Sequence, residues 1–307
     1  MSVFTSSVAR VAGWRLSLVV CLCHAAVPGF ALAGGDSNLS ASDSAATDSC
    51  GGHVPTVWCS LVVGVGSRKS HYSEPDPQAR VNPLDSELGA LQATQIDVRW
   101  LGRLFGPLPV VALQFEASKT RGDSSYRGYL QSGDALTPYS STTRNTYSST
   151  GLRIGMPIVG QSAESKSPFV VVYAELNRQH WRRNLDQYQE FFEWKSSMLG
   201  INATFIIPVS TQSSRSAIFL EVDGASGRTT GNQVSASQFS FSSRLPDRNS
   251  QRLAGALSYR QATGWSIGAQ YTFLRSQFGA SNGPGSVQYP GSSSRDQTLL
   301  ATLGYFY

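Results

Sequence analysis

From residue 57 onward, apolar and polar side chains alternate with a period of two in ten separate segments, the pattern of strands that bury or expose one face. Leu61, Val63 and Val65 oppose Ser60, Gly64 and Gly66 in the first, and Ile96, Val98 and Trp100 oppose Asp97 and Arg99 in the second. The next two set Val111, Leu113 and Phe115 against Gln114 and Glu116, then Leu152, Ile154, Met156 and Ile158 against Gly151 and Arg153. The fifth is less clean, with Val170, Val172, Ala174 and Leu176 against Val171, Tyr173 and Glu175. Contrast returns in Leu199 to Ile207, in Ile218, Leu220 and Val222 against Glu221 and Asp223, and in Leu253, Leu257 and Tyr259 against Arg252 and Arg260. Trp265 to Phe273 form the ninth segment, and Leu299 to Tyr307 the tenth.

Alternation is also found in soluble sandwiches and lipocalin-like barrels, whose apolar residues point inward. Loop lengths separate the alternatives. Connections after odd segments span about 70–90, 120–145, 178–190, 227–250 and 276–296, whereas those after even segments are generally shorter, as at Gly106-Pro107 and Ala262-Thr263-Gly264. Long on one side and short on the other is the habit of membrane barrels. No run of 18 apolar residues follows Val57, so a span of the bilayer must use a closed barrel. The expected fold is all-β: a transmembrane antiparallel up-and-down β-barrel of about ten strands over residues 57–307.

The N-terminus reads differently. Arg10 and Arg15 precede an apolar stretch from Leu16 to Val27, followed by Ala31-Leu32-Ala33, the pattern of a signal peptide cleaved before Gly34. Residues 1–33 are therefore expected to be removed, which takes two arginines and no acid and lowers the formal charge from +5 to +3. Residues 34–56 are small and polar, with almost nothing to bury, and are expected to form a flexible periplasmic tail. Cys21 and Cys23 leave with the signal; Cys50 and Cys59 remain in an oxidising compartment, where they are candidates for pairing. A charge balance this small and dispersed points to no nucleic-acid partner.

The chain ends Leu-Leu-Ala-Thr-Leu-Gly-Tyr-Phe-Tyr, which resembles the C-terminal strand of bacterial outer-membrane β-barrels: a terminal aromatic with apolar residues at every second position before it. Leu299, Ala301, Leu303, Tyr305 and Tyr307 match. The resemblance implies recognition of this strand by the barrel assembly machinery and residence in the bacterial cell outer membrane, among its lipid and lipopolysaccharide. It covers architecture and names no subfamily.

Candidate chemistry lies on the polar face, where Asp97, Arg99, Glu116, Arg153, Glu175, Glu221, Asp223, Arg252 and Arg260 are expected to point into the lumen and pair as a plug. Arg178, Trp181, Arg182 and Arg183 are placed in an outer loop as candidate contacts for lipopolysaccharide phosphates. Arg121-Gly122-Asp123, in another expected loop, has the form of an integrin-recognition tripeptide for a host ligand. No catalytic, cofactor-binding or metal site is assigned. His53, His71 and His180 are the histidines after residue 33, and His180 with Asp186 is the nearest approach to the Asp–His pair of ten-stranded omptin proteases. The leading expectation is a plugged barrel with a surface, structural or adhesion role through its outer loops, ahead of a small channel and then a hydrolase.

Overall fold

The computed structural model describes residues 58–306 apart from 104–108, 133–134, 161–167, 186–187, 212–213, 237–240 and 281–290. The expected signal peptide, the polar tail with Cys50 and His53, Asp186 and Tyr307 lie outside the described residues. Cys59 is disulfide-bonded.

Among the described residues there are strands and no helix: β1 (Trp58–Glu74), β2 (Asp85–Arg103), β3 (Val110–Ser132), β4 (Ala135–Val159), β5 (Phe169–Leu185), β6 (Tyr188–Thr211), β7 (Ser214–Ala236), β8 (Phe241–Leu245), β9 (Arg248–Arg260), β10 (Trp265–Phe278) and β11 (Ser292–Phe306). Each pairs antiparallel with its neighbours in the order β6-β5-β4-β3-β2-β1-β11-β10-β9-β7, and β6 pairs with β7 to close the ring. β8 pairs only with Asn232–Ala236 at the far end of β7, so the barrel proper has ten strands. Closure leaves no free edge in the wall.

The outward face of one end of this wall is apolar. Leu199, Ile267 and Leu176 are 73%, 65% and 63% exposed, and Ile154, Ile207, Leu253, Leu257, Leu299 and Leu303 are likewise exposed. Such a girdle around every strand has no place in water, and with a closed ring it defines a membrane-spanning barrel. Ser60 of β1 pairs with Phe306 of β11, so the start of β1 and the end of β11 lie side by side at the girdled end. Trp265 and Tyr305 meet edge to face there, 5.1 Å between centroids, where an aromatic anchor belongs.

Beyond the girdle the strands continue where loops were expected. Residues 120–132 and 135–145 are strand, joined through 133–134, and the expected loop at 178–190 is a hairpin of β5 and β6. At ~3.3 Å per residue and a tilt of about 40°, a 23-residue strand such as β3 rises roughly 55 Å, about twice a girdle of ~25 Å. The excess forms a collar, tall at β3 to β7 and low at β9 to β11. At the girdled end Gly264, at φ +90°, donates to the Gln261 carbonyl at 3.0 Å in the turn between β9 and β10.

Candidate functional site

Strand phase sends alternate residues into the lumen, where they form successive layers of side chains. At the girdled end Leu101, Phe169, Val171 and Tyr173 form a buried apolar cluster. The Tyr173 ring occupies the space that a Cβ on Gly200 of the adjacent β6 would need, so glycine there admits the ring against the wall. Below the charged layer, Arg260 places its guanidinium 3.3 Å from the Phe306 ring centroid and 3.6 Å from that of Phe219.

The charged layer comes next. Arg99 lies 3.1 Å from Asp97 and 2.5 Å from Glu221. Arg153 approaches Glu175 at 2.6 Å, Asp223 at 3.7 Å and Glu116 at 3.8 Å. Arg252 reaches Glu175 at 2.5 Å and Asp223 at 3.0 Å, and donates to the Tyr173 hydroxyl at 2.8 Å. Tyr173 donates onward to Asp223 at 2.7 Å. The Gln114 amide donates to Asp97 while its carbonyl accepts from Arg153 at 3.0 Å. Three arginines thus hold five carboxylates drawn from β2, β3, β5 and β7, and nearly every charge has a partner of opposite sign within 4 Å. Arg260 also lies over the Trp58 ring, and it lines one pocket together with Glu221 and Arg99.

Above this layer a polar cavity of about 110 Å³ is lined by residues including Gln95, Gln179, Thr272 and Thr298. Arg68 pairs with Asp296 at 2.8 Å on its wall and lies over the Tyr147 ring at 4.1 Å. Inside the collar lies a buried cluster that includes Tyr72, Leu91, Tyr147, Trp181, Phe192, Trp194, Val234, Leu245 and Phe278. Tyr147 stacks on Trp181 at 5.1 Å and Trp181 on Phe192 at 4.5 Å; Tyr72 meets Trp181 edge-on at 5.1 Å from across the lumen. The Trp181 indole donates to the Asn145 side-chain carbonyl at 2.6 Å.

A second buried ionic group lies beside these rings. Arg183 lies 2.7 Å from Glu190 and 3.6 Å from Glu87, amid the rings of Tyr72, Tyr126, Trp181 and Phe192. Tyr72 donates to Glu74 at 2.5 Å. Glu74 is pushed up to about 8, chiefly by burial, with Arg183 opposing and Asp85 and Glu190 adding to the shift.

The candidate lipopolysaccharide residues divide. Arg178 and Arg182 face outward, but Trp181 and Arg183 are buried in the lumen, because 178–183 belong to β5 and not to a loop. Arg178 also has a partner, Glu193 at 2.6 Å, and His180 lies 3.6 Å from the same carboxylate. Arg121-Gly122-Asp123 is likewise strand, within β3; Arg121 and Asp123 face outward and Asp123 lies 3.6 Å from Arg144. The described part of the terminal motif, Leu299 to Tyr305, forms the apolar outward face of β11 beside β1.

Sequence reading missed the luminal aromatic cluster and the inward position of Arg183, although Tyr147, Trp181, Phe192 and Trp194 keep the inward phase of their strands. That persistence of large inward residues after the outward face turns polar was the available signal.

A closed ten-stranded ring, an outward apolar girdle and a polar, charge-paired interior define an outer-membrane β-barrel. No protein-family model matches the sequence, and no curated protein does. Similar solved structures are the translocator domain of autotransporter NalP from Neisseria meningitidis (9% identity, 99% of this chain and 98% of that one, TM-score 0.37) and the transport unit of autotransporter AIDA-I from Escherichia coli (10%, 81% and 90%, TM-score 0.35). Ail, the attachment invasion locus protein of Yersinia pestis, is another (11%, 82% and 100%, TM-score 0.26).

Proposed function

We propose that the protein is a closed surface barrel of the outer membrane, which holds a tall strand collar outside the cell in a structural or adhesive role. The observation that carries this reading is the pair of luminal layers, the Arg99, Arg153 and Arg252 ion pairs and the aromatic cluster around Trp181, which in this reading close the lumen twice. Desolvated ion pairs and stacked rings together leave little continuous water. The collar supports the same reading, since its outward face is polar on β3 and β4 and offers a rigid wall to a host or surface ligand. Export by the signal peptide and assembly through the C-terminal strand belong to this proposal. Planar-bilayer recording on the refolded mature chain tests it: the expectation is no stable conductance, and steady large steps would favour the small channel instead. That second reading draws on the polar cavity between the two closures.

A further inference from the structure

Just above the girdle, on the low side of the collar, Arg275 of β10 and Arg295 of β11 are direct partners across the ladder, and His71 of β1 is the next partner of Arg295. Lys69 lies one outward position nearer the girdle, opposite Gln297. Arg295 and Lys69 are exposed, and the buried Arg275 Nε has no hydrogen-bond partner.

Two arginines in direct register stand with Cβ atoms about 5 Å apart, an arrangement that destabilises a sheet when nothing lies between them. Among the described residues nothing acidic does. Their outward neighbours are Ser73, Gln251, Gln277, Ser293 and Gln297, and no described carboxylate forms an ion pair with Arg275, Arg295 or Lys69. The segment 281–290 that joins the two strands contains no acid in its sequence. By contrast Arg178, on the opposite wall, carries Glu193.

The position supplies the missing partner. Along the same strands toward the membrane, the outward residues are Phe273 and Tyr271 on β10 and, after Gln297, Leu299 on β11, so the cations sit one to two outward positions above lipid-facing side chains. Anionic groups anchored in the outer leaflet lie at that height. Paired guanidinium forks fit phosphate oxygens bidentately, and such an anion would both offset the like charges and accept from the buried Arg275 Nε. We propose that Arg275 and Arg295, with Lys69 and His71 beside them, bind the phosphate groups of lipid A from the surrounding outer leaflet. This site differs in place and residues from the expected loop contact at 178–183, and it stands whether or not the lumen conducts.

The test uses the full mature chain, refolded in detergent free of lipid A, with the thermal unfolding midpoint as readout. Bisphosphorylated lipid A should raise the midpoint of the wild type, whereas dephosphorylated lipid A and inorganic phosphate at matched concentration should not. In Arg275→Gln/Arg295→Gln the lipid A gain should fall to less than about a third, while the lipid-free midpoint equals or exceeds wild type because the like-charge contact is gone. Arg295→Lys, which keeps the charge, should retain part of the gain. Equal gains in wild type and the double variant would overturn the site, and an equal gain from inorganic phosphate would overturn its assignment to lipid. A double variant less stable than wild type without lipid would show that the arginines need no anion, and would overturn the proposal as well.

Discussion

Arg99 and Glu221 meet at 2.5 Å although β2 and β7 stand on opposite sides of the ten-strand ring, so one ion pair spans the whole lumen. Truncating either partner leaves a largely desolvated charge. Arg99 retains about a fifth of its side-chain exposure, so the expected loss for Arg99→Ala or Glu221→Ala is about 2–3 kcal/mol, below the 3–5 of a fully buried pair. Replacing both by Met should cost much less than the two single losses together, because no orphan charge remains. Urea unfolding in detergent of the two single variants and the double one checks this.

Within the girdle the strands were legible because lipid demands apolar residues at every second position, and Leu152, Ile154, Met156 and Ile158 of β4 leave no other reading. In the collar that demand ends. Lys119, Arg121 and Asp123 of β3 face water, alternation on the outward side disappears, and the same residues look like a loop. Inward phase was legible for Asp97, Arg99, Glu175 and Asp223, but their pairing was not: Arg252 finds Glu175 only because β9 and β5 are brought near each other by closure between β6 and β7. Trp181 and Arg183 were misplaced for the related reason that two residues of a strand and two of a loop carry the same letters.

The collar's acidic cap should make stability depend on pH. Glu74 keeps its proton to about pH 8 in the folded chain, while the unfolded carboxyl releases it near 4.5. Between those values unfolding frees a proton, so stability falls as pH rises through the window and levels off above it. Glu74→Gln, which keeps a neutral side chain near Tyr72, should flatten that slope. Unfolding midpoints from pH 5 to 9 for both proteins are the measurement; a slope unchanged in the variant would place its origin elsewhere.

Trp181 joins the aromatic cluster to the polar wall, stacking between Tyr147 and Phe192 and donating to Asn145. Trp181→Ala removes a large buried ring and leaves the Asn145 carbonyl without that donor, for an expected loss of about 3–5 kcal/mol. Trp181→Phe keeps most of the stacking and loses the bond, so about 1–2 kcal/mol is expected. If the alanine variant unfolds at the wild-type denaturant midpoint, the ring is not packed as described.

The height of the membrane edge can be read from one strand. On the outward face of β6, Leu199, Ile201, Phe205, Ile207 and Val209 are exposed and apolar, with Ala203 in their midst, and Ser197 and Lys195 follow toward the collar. An arginine at the centre of such a band must draw its charge through hydrocarbon, at a cost of about 2–4 kcal/mol, whereas near the interface the cost falls to about 0–1. Ala203→Arg should therefore destabilise the barrel in lipid bilayers by that larger amount, and Ser197→Arg should be close to neutral. Neither position contacts the luminal network, because both point away from it, so ion-pair loss cannot imitate the difference. Refolding titrations into bilayers of one thickness give the comparison directly. Equal costs at the two sites would mean that the lipid boundary lies above Ser197, and the collar would then be shorter than the strands suggest.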